Sequence, residues 1–110
     1  MKVLFVCGKN KLRSPTAESV FLGHPEIEAL SVGLSKKAEV RLTVDHLKWS
    51  DIIFVMEKKF KNKIMEDYSD YVKDENVISL NIPDKYQYMD PELVSIFENR
   101  IPHILEIDKI

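Results

Sequence analysis

A single cysteine, Cys7, rules out an internal disulfide, and a free thiol of this kind suits a reducing compartment. Three glycines in 110 residues leave no glycine-rich linker, and neither repeats nor low-complexity tracts divide the chain. The three histidines, His24, His46 and His103, stand far apart. No Cys-x-x-Cys or His-x-x-x-His spacing is present either, so neither a metal site nor a metal cofactor is expected. No apolar run approaches the length of a membrane span. Met1-Lys2-Val3 leads straight into an apolar segment in place of the three-part pattern of a secretion signal, so a cytoplasmic protein with no membrane partner is expected. A net charge of −2 carries no overall nucleic-acid footprint, which makes nucleic acid an unexpected partner.

What is present is a globular composition, 45% hydrophobic and 31% charged, which supports one domain over residues 1–110. Apolar, β-rich segments recur at Val3–Val6, about Ile27–Val32, Ile52–Met56 and Val77–Leu80, with helical patterns between them. The first helix is expected from about Ser14 to Leu22, stopping near Gly23-His24-Pro25, and the second over Ala38–Trp49 with Val40, Val44 and Leu47 on one side. The third begins near Glu57 with Phe60 and Ile64 inward. The last starts at Asp90-Pro91 with Leu93, Val94, Phe97 and Ile101 facing the core, and Pro102 ends or kinks it. Strands alternating with helices predict an α/β fold of three layers around a four-stranded parallel sheet. Ligands of such sheets bind beyond the carboxyl ends of the strands.

Cys7 lies at one of those ends. Six residues on come Arg13, Ser14 and Pro15, with Ser14-Pro15 suited to an N-cap and first helical position. The intervening Gly8-Lys9-Asn10-Lys11-Leu12 is short enough to wrap one anion, its N–H groups and the helix dipole converging on it. Gly8 and Asn10 tolerate the backbone angles such a loop needs. A helix N-terminus and an adjacent arginine favour thiolate over thiol, and the planar fork of Arg13 grips two phosphate oxygens. Without that context Cys7 would read as the buried end of a strand.

A thiolate attacking a phosphate monoester expels an alkoxide or phenoxide, so a proton donor is needed. Two aspartates follow the fourth strand. Asp84 leaves it by only a few residues and so reaches over Cys7; Asp90, followed by Pro91 and Glu92, also suits a helix N-terminus and is the alternative acid. Tyr86 and Tyr88 lie between them, where aromatics either wall a slot for a planar leaving group or pack. Lys58, Lys59, Lys61 and Lys63 read mainly as a solvated helix face, with steering of an anionic substrate as the second reading.

The run Val6–Glu18 resembles the phosphate-binding loop and first helix of the low-molecular-weight protein tyrosine phosphatases. Leu30-Ser31-Val32-Gly33, Asp51–Glu57, Ile82-Pro83-Asp84 and Pro91–Ile101 continue the likeness in weaker form, and the short length is similar to a bacterial branch of that family. The resemblance implies Cys7 as nucleophile, Arg13 as phosphate clamp and Ser14 as hydrogen-bond donor to the thiolate. It further implies Asn10 as keeper of the loop's shape with Ser31 as its partner, Asp84 as general acid and Tyr86 as an aromatic wall. Leu12 stands where the family usually has a second cysteine, so a protective disulfide is unavailable and oxidation of Cys7 is less easily reversed. Lys9 replaces a usual glycine, and Lys85 a proline.

The expected activity is therefore metal-independent hydrolysis of phosphotyrosine proteins or other phosphomonoesters through a phosphocysteine, with no cofactor. Arsenate reduction with an external thiol and phosphate recognition without turnover are the rival readings.

Overall fold

Parallel pairing of four apolar segments organises the computed structural model, which describes residues 1–108. The chain runs β1 (Lys2–Cys7), α1 (Arg13–Val20), β2 (Glu28–Gly33), α2 (Val44–Trp49), β3 (Ile52–Val55), α3 (Lys58–Tyr68), a one-turn 3₁₀ helix at Asp74–Asn76, β4 (Val77–Ser79) and α4 (Pro91–Leu105). The strands lie in the order β2-β1-β3-β4, all parallel. The chain thus crosses from β1 to one side and then to the other, a topological switch point at the carboxyl end of β1.

Alternation along β1 sends Val3, Phe5 and Cys7 to one face of the sheet and Leu4 and Val6 to the other. On the first face Phe5 stacks with Phe21 and Phe54 at 6.0 and 5.8 Å, and α1 and α4 close the layer with Ala17, Leu93, Phe97 and Ile101. On the second face α2 and α3 contribute Leu47 and Ile64. All five of these strand residues are buried on one face or the other, the mark of a sheet covered on both sides.

Two helix expectations need correction, and the alternative left open at Pro102 is decided. The second helix occupies only Val44–Trp49, because Thr43 forms a capping box with His46 and starts the helix there. Residues 34–40 instead lie against the loop after β1, Arg41 and Leu42 pair with Gly33 at the end of β2, and Val40 is exposed. In α1 Ser14 is a helical residue, not the N-cap; the cap position is Leu12, which offers no side-chain acceptor. Pro102 neither ends α4 nor excludes its last turn. The helix continues to Leu105 and closes where Glu106, in the left-handed region at φ 56°, and Ile107 donate N–H groups to the carbonyls of His103 and Pro102.

Candidate active site

The carboxyl ends of the strands bring four segments to one edge of the sheet. Cys7 pairs in register with Gly33, and Val6 with Val55, so the ends of β2 and β3 flank the end of β1. The segment after β4 arrives by the Ile82 N–H bond to the Met56 carbonyl, 2.8 Å. Together these segments enclose a cavity of about 550 Å³ lined by Cys7, Lys11, Arg13, Glu57, Phe60 and Asp84 among others.

Residues 34–39 hold the loop between β1 and α1 from outside. The N–H groups of Leu34, Ser35 and Glu39 donate to the carbonyls of Cys7, Gly8 and Lys9 at 3.0, 2.8 and 3.1 Å. The peptides of the described residues are all trans, and in a trans peptide the carbonyl and the next N–H point opposite ways. The N–H groups of Gly8, Lys9 and Asn10 are therefore turned to the inside of the loop. With those of Lys11 and Leu12, they find no acceptor among the described residues. The absence of a side-chain cap on α1 leaves its first N–H groups open in the same direction, the geometry of an anion site.

Asn10 is the hinge of this loop. Its backbone sits in the left-handed region at φ 55° and its side chain is buried. Its amide donates to Ser14 Oγ at 3.1 Å and Ser31 Oγ at 3.0 Å, while its Oδ1 accepts from the Val40 N–H at 3.1 Å. Ser14 Oγ in turn lies 2.9 Å from Cys7 Sγ. These contacts tie the thiol to a network of hydroxyl and amide groups whose polar atoms are all satisfied.

Arg13 is buried to 4% exposure, which its partners make tolerable. Its Nη1 donates to Glu57 Oε2 and to the Ile82 carbonyl, both at 2.8 Å. That leaves the Nε–Nη2 edge of the fork without a hydrogen bond among the described residues, with Asp84 Oδ1 3.7 Å from Nε. Pinning one nitrogen this way preorganises the opposite edge for two oxygens of one anion.

No family model and no curated protein matches the sequence. Solved structures match nearly all of it. The YwlE arginine phosphatase from Geobacillus stearothermophilus superposes with a TM-score of 0.72 at 20% identity over 96% of this chain and 92% of that one. A low-molecular-weight protein tyrosine phosphatase from T. tengcongensis gives 0.71 at 22% identity over 94% and 99%. A YwlE Cys-to-Ser mutant with a phosphorylated active site serine gives 0.75 at 19% identity over 98% and 97%. The fold is that of the low-molecular-weight protein tyrosine phosphatases.

Within this phosphatase fold the two aspartates are separated by their surroundings. Asp84 is exposed and lines the cavity with Cys7. Asp90 is the N-cap of α4, its Oδ1 accepting from the Glu92 N–H at 2.9 Å ahead of Pro91. The segment between them is held to α1, where the Met89 N–H donates to Thr16 Oγ1 at 2.9 Å and Tyr88 Oη lies 2.7 Å from Ser19 Oγ. Tyr86 does not wall the cavity. It is buried in the same core cluster as Leu93, Phe97 and Ile101 of α4, while Tyr88, two residues on, is exposed.

The aromatic wall is Phe60, from the first turn of α3, with the Arg13 guanidinium 5.8 Å and the Lys59 ammonium 5.4 Å from its ring centre. Phe60 reads from sequence as a core residue, and Glu57 as the start of the third helix; their place in the site depends on the register of β3 against β1. The lysine run divides in two. Lys58 and Lys59 face this edge of the molecule, whereas Lys61 and Lys63 pair with Asp74 and Asp67 at 3.5 and 3.1 Å, the hydrogen bond to Asp67 raising the Lys63 pKa above its ordinary value. Among the described residues no group of three or more His, Cys, Asp or Glu side chains is arranged to hold a metal ion, and no helix is long and apolar enough to cross a membrane.

Gly33 supports the loop from below. A Cβ there would stand 2.5 Å from the Gly8 carbonyl oxygen, 2.7 Å from Ala38 Cβ and 2.9 Å from the Asn10 nitrogen, all parts of the cradle or its clamp. Gly33→Ala is expected to cost about 1–3 kcal/mol of stability by overpacking. It should also weaken inorganic phosphate binding by about 10–100-fold, since displacement of the loop misplaces its donors. Thermal unfolding and phosphate titration on the same preparation check both.

Proposed function

We propose that this protein is a metal-independent phosphomonoesterase, a protein tyrosine phosphatase that works through a phosphocysteine intermediate. The observation that carries this reading is one cavity that Cys7 lines together with the loop after β1, where the N–H groups of residues 8–12 find no acceptor among the described residues, and with the open edge of Arg13. Cys7 as thiolate attacks phosphorus, forming the P–S bond as the P–O bond to the leaving group breaks. The loop N–H groups and Arg13 stabilise the three equatorial oxygens in that transition state.

Asp84 gives its proton to the departing oxygen. In the second half of the cycle its carboxylate takes a proton from water, the water oxygen bonds to phosphorus, and the P–S bond breaks to restore the thiolate, which Ser14 stabilises by hydrogen bonding. The phosphorylated active site serine of the YwlE mutant supports a covalent intermediate on this fold.

The fold neighbours include arginine and tyrosine phosphatases by name. Lys9, Lys11 and Lys59 line the cavity here and oppose a positively charged guanidinium leaving group, while Phe60 offers a face to an aromatic one. A phosphotyrosine peptide is therefore expected to be hydrolysed in the presence of chelator with kcat/KM at least about tenfold above that for the matching phosphoarginine peptide. Faster turnover of phosphoarginine overturns the substrate assignment. Thiol-dependent arsenate reduction, or tight phosphate binding without hydrolysis of any aryl phosphate, overturns the activity.

A further inference from the structure

The charge of this protein is distributed unevenly. Eight of its 16 cationic residues but only three of its 18 acidic ones belong to the segments that form or frame the cavity, a local excess of five positive charges against seven negative over the rest of the chain. Lys9, Lys11 and Lys59 line the cavity with Arg13, and Lys58 lines the adjoining cleft with Pro83. Lys36 and Lys37 form the exposed bend between Ser35 and Glu39, the two residues whose N–H groups clamp the loop. Lys85 follows Asp84.

The local acids are already engaged. Glu57 holds Arg13 and lies 3.8 Å from Lys59, Glu39 is 3.9 Å from Lys11, and Asp84 faces Arg13. By contrast, Lys9, Lys36, Lys37, Lys58 and Lys85 have no carboxylate within 4.0 Å among the described residues. A single phosphate is already served by the loop N–H groups and Arg13. Unpaired lysines on two sides of the mouth address what lies beyond the phosphate.

We infer that the substrates preferred at this site are phosphoprotein segments in which acidic side chains flank the phosphorylated tyrosine, with Lys36 and Lys37 on one side of the mouth and Lys58 on the other receiving the flanks. The inference rests on the phosphatase reading above. An extended nucleic acid fits less well: it needs a basic stripe, whereas here the positive region ends at the rim and the remaining surface repels a long polyanion. A short acidic peptide stays inside the patch, within a Debye length of about 8 Å at physiological salt.

The test uses three phosphotyrosine peptides of equal length with Glu, Ala or Lys at the flanking positions. At low ionic strength kcat/KM is expected to fall in that order, spanning at least about tenfold, and the span should shrink as salt is raised to about 0.5 M. In the Lys36→Glu/Lys37→Glu/Lys58→Glu variant the order should collapse or invert, while turnover of a small aryl phosphate with no charge beyond its phosphate, compared at about 0.5 M salt where the field is screened, stays within about threefold.

Equal kcat/KM for the three peptides, or a preference unchanged in the triple variant, overturns the proposal. A single-stranded oligonucleotide that competes better than an unphosphorylated Glu-rich peptide of similar charge overturns it in favour of nucleic acid. The same peptides are titrated onto the Cys7→Ser protein. A preserved order of affinity without wild-type turnover counts against the phosphatase reading alone, and equal affinities count against this proposal.

Discussion

Cys7→Ser is expected to abolish hydrolysis of aryl phosphates, with kcat reduced on the order of 10⁴–10⁶-fold, the scale seen when a nucleophile is removed from an otherwise intact site. A serine hydroxyl is far less acidic than a thiol, and the hydrogen bond shared with Ser14 and the loop N–H groups cannot supply the difference at neutral pH. The substitution changes one buried atom, and the network of Asn10, Ser14 and Ser31 does not depend on sulfur. Phosphate binding and thermal stability should therefore survive. Phosphate release followed alongside inorganic phosphate affinity separates loss of chemistry from loss of the site. Activity within tenfold of the native protein would remove Cys7 from the mechanism.

Asp84→Asn should lower kcat by about 10²–10⁴-fold for a leaving group as basic as tyrosine, and by much less for an activated phenol that departs without help. The dependence of rate on leaving-group pKa is the diagnostic, because a residue that only shaped the cavity would slow all substrates alike. Asp90→Ala should do the reverse. It removes the hydrogen bond to the Glu92 N–H and costs roughly 1 kcal/mol in stability while leaving kcat within about threefold. A larger loss of kcat in Asp90→Asn than in Asp84→Asn would reverse the assignment. The physical basis is position: Asp84 is exposed in the cavity 3.7 Å from Arg13, and Asp90 is committed to the start of α4.

The second helix shows how local patterning misleads. Val40, Val44 and Leu47 have helical spacing, yet Val40 belongs to a loop whose carbonyl accepts from the Gly33 N–H and whose own N–H donates to Asn10. Those bonds reach the end of β2 and the loop after β1, partners that no window of neighbouring residues contains. Ser14 likewise has the chemistry of a cap, but it is drawn into the helix where its hydroxyl meets Cys7. Tyr86 and Tyr88 are alike in type and two residues apart, and only tertiary packing, which takes Tyr86 into the core cluster with Leu93 and Phe97, distinguishes the buried one from the exposed one.

Taken alone, the sequence determined the alternation of strands and helices, the placement of Cys7 at a strand end and of Arg13 at a helix start, and the composition of the loop between them. These are local properties, set by side-chain periodicity and backbone preference over a few residues. Only the tertiary structure decided that Glu57 grips Arg13 across 44 positions, that Phe60 walls the cavity, that Asp84 enters it while Asp90 caps a helix, and that Lys58 and Lys59 face the site while Lys61 and Lys63 pair away from it. Those outcomes follow from the parallel register of β1 against β2 and β3, which depends on contacts between distant segments and is written in no single stretch of the chain.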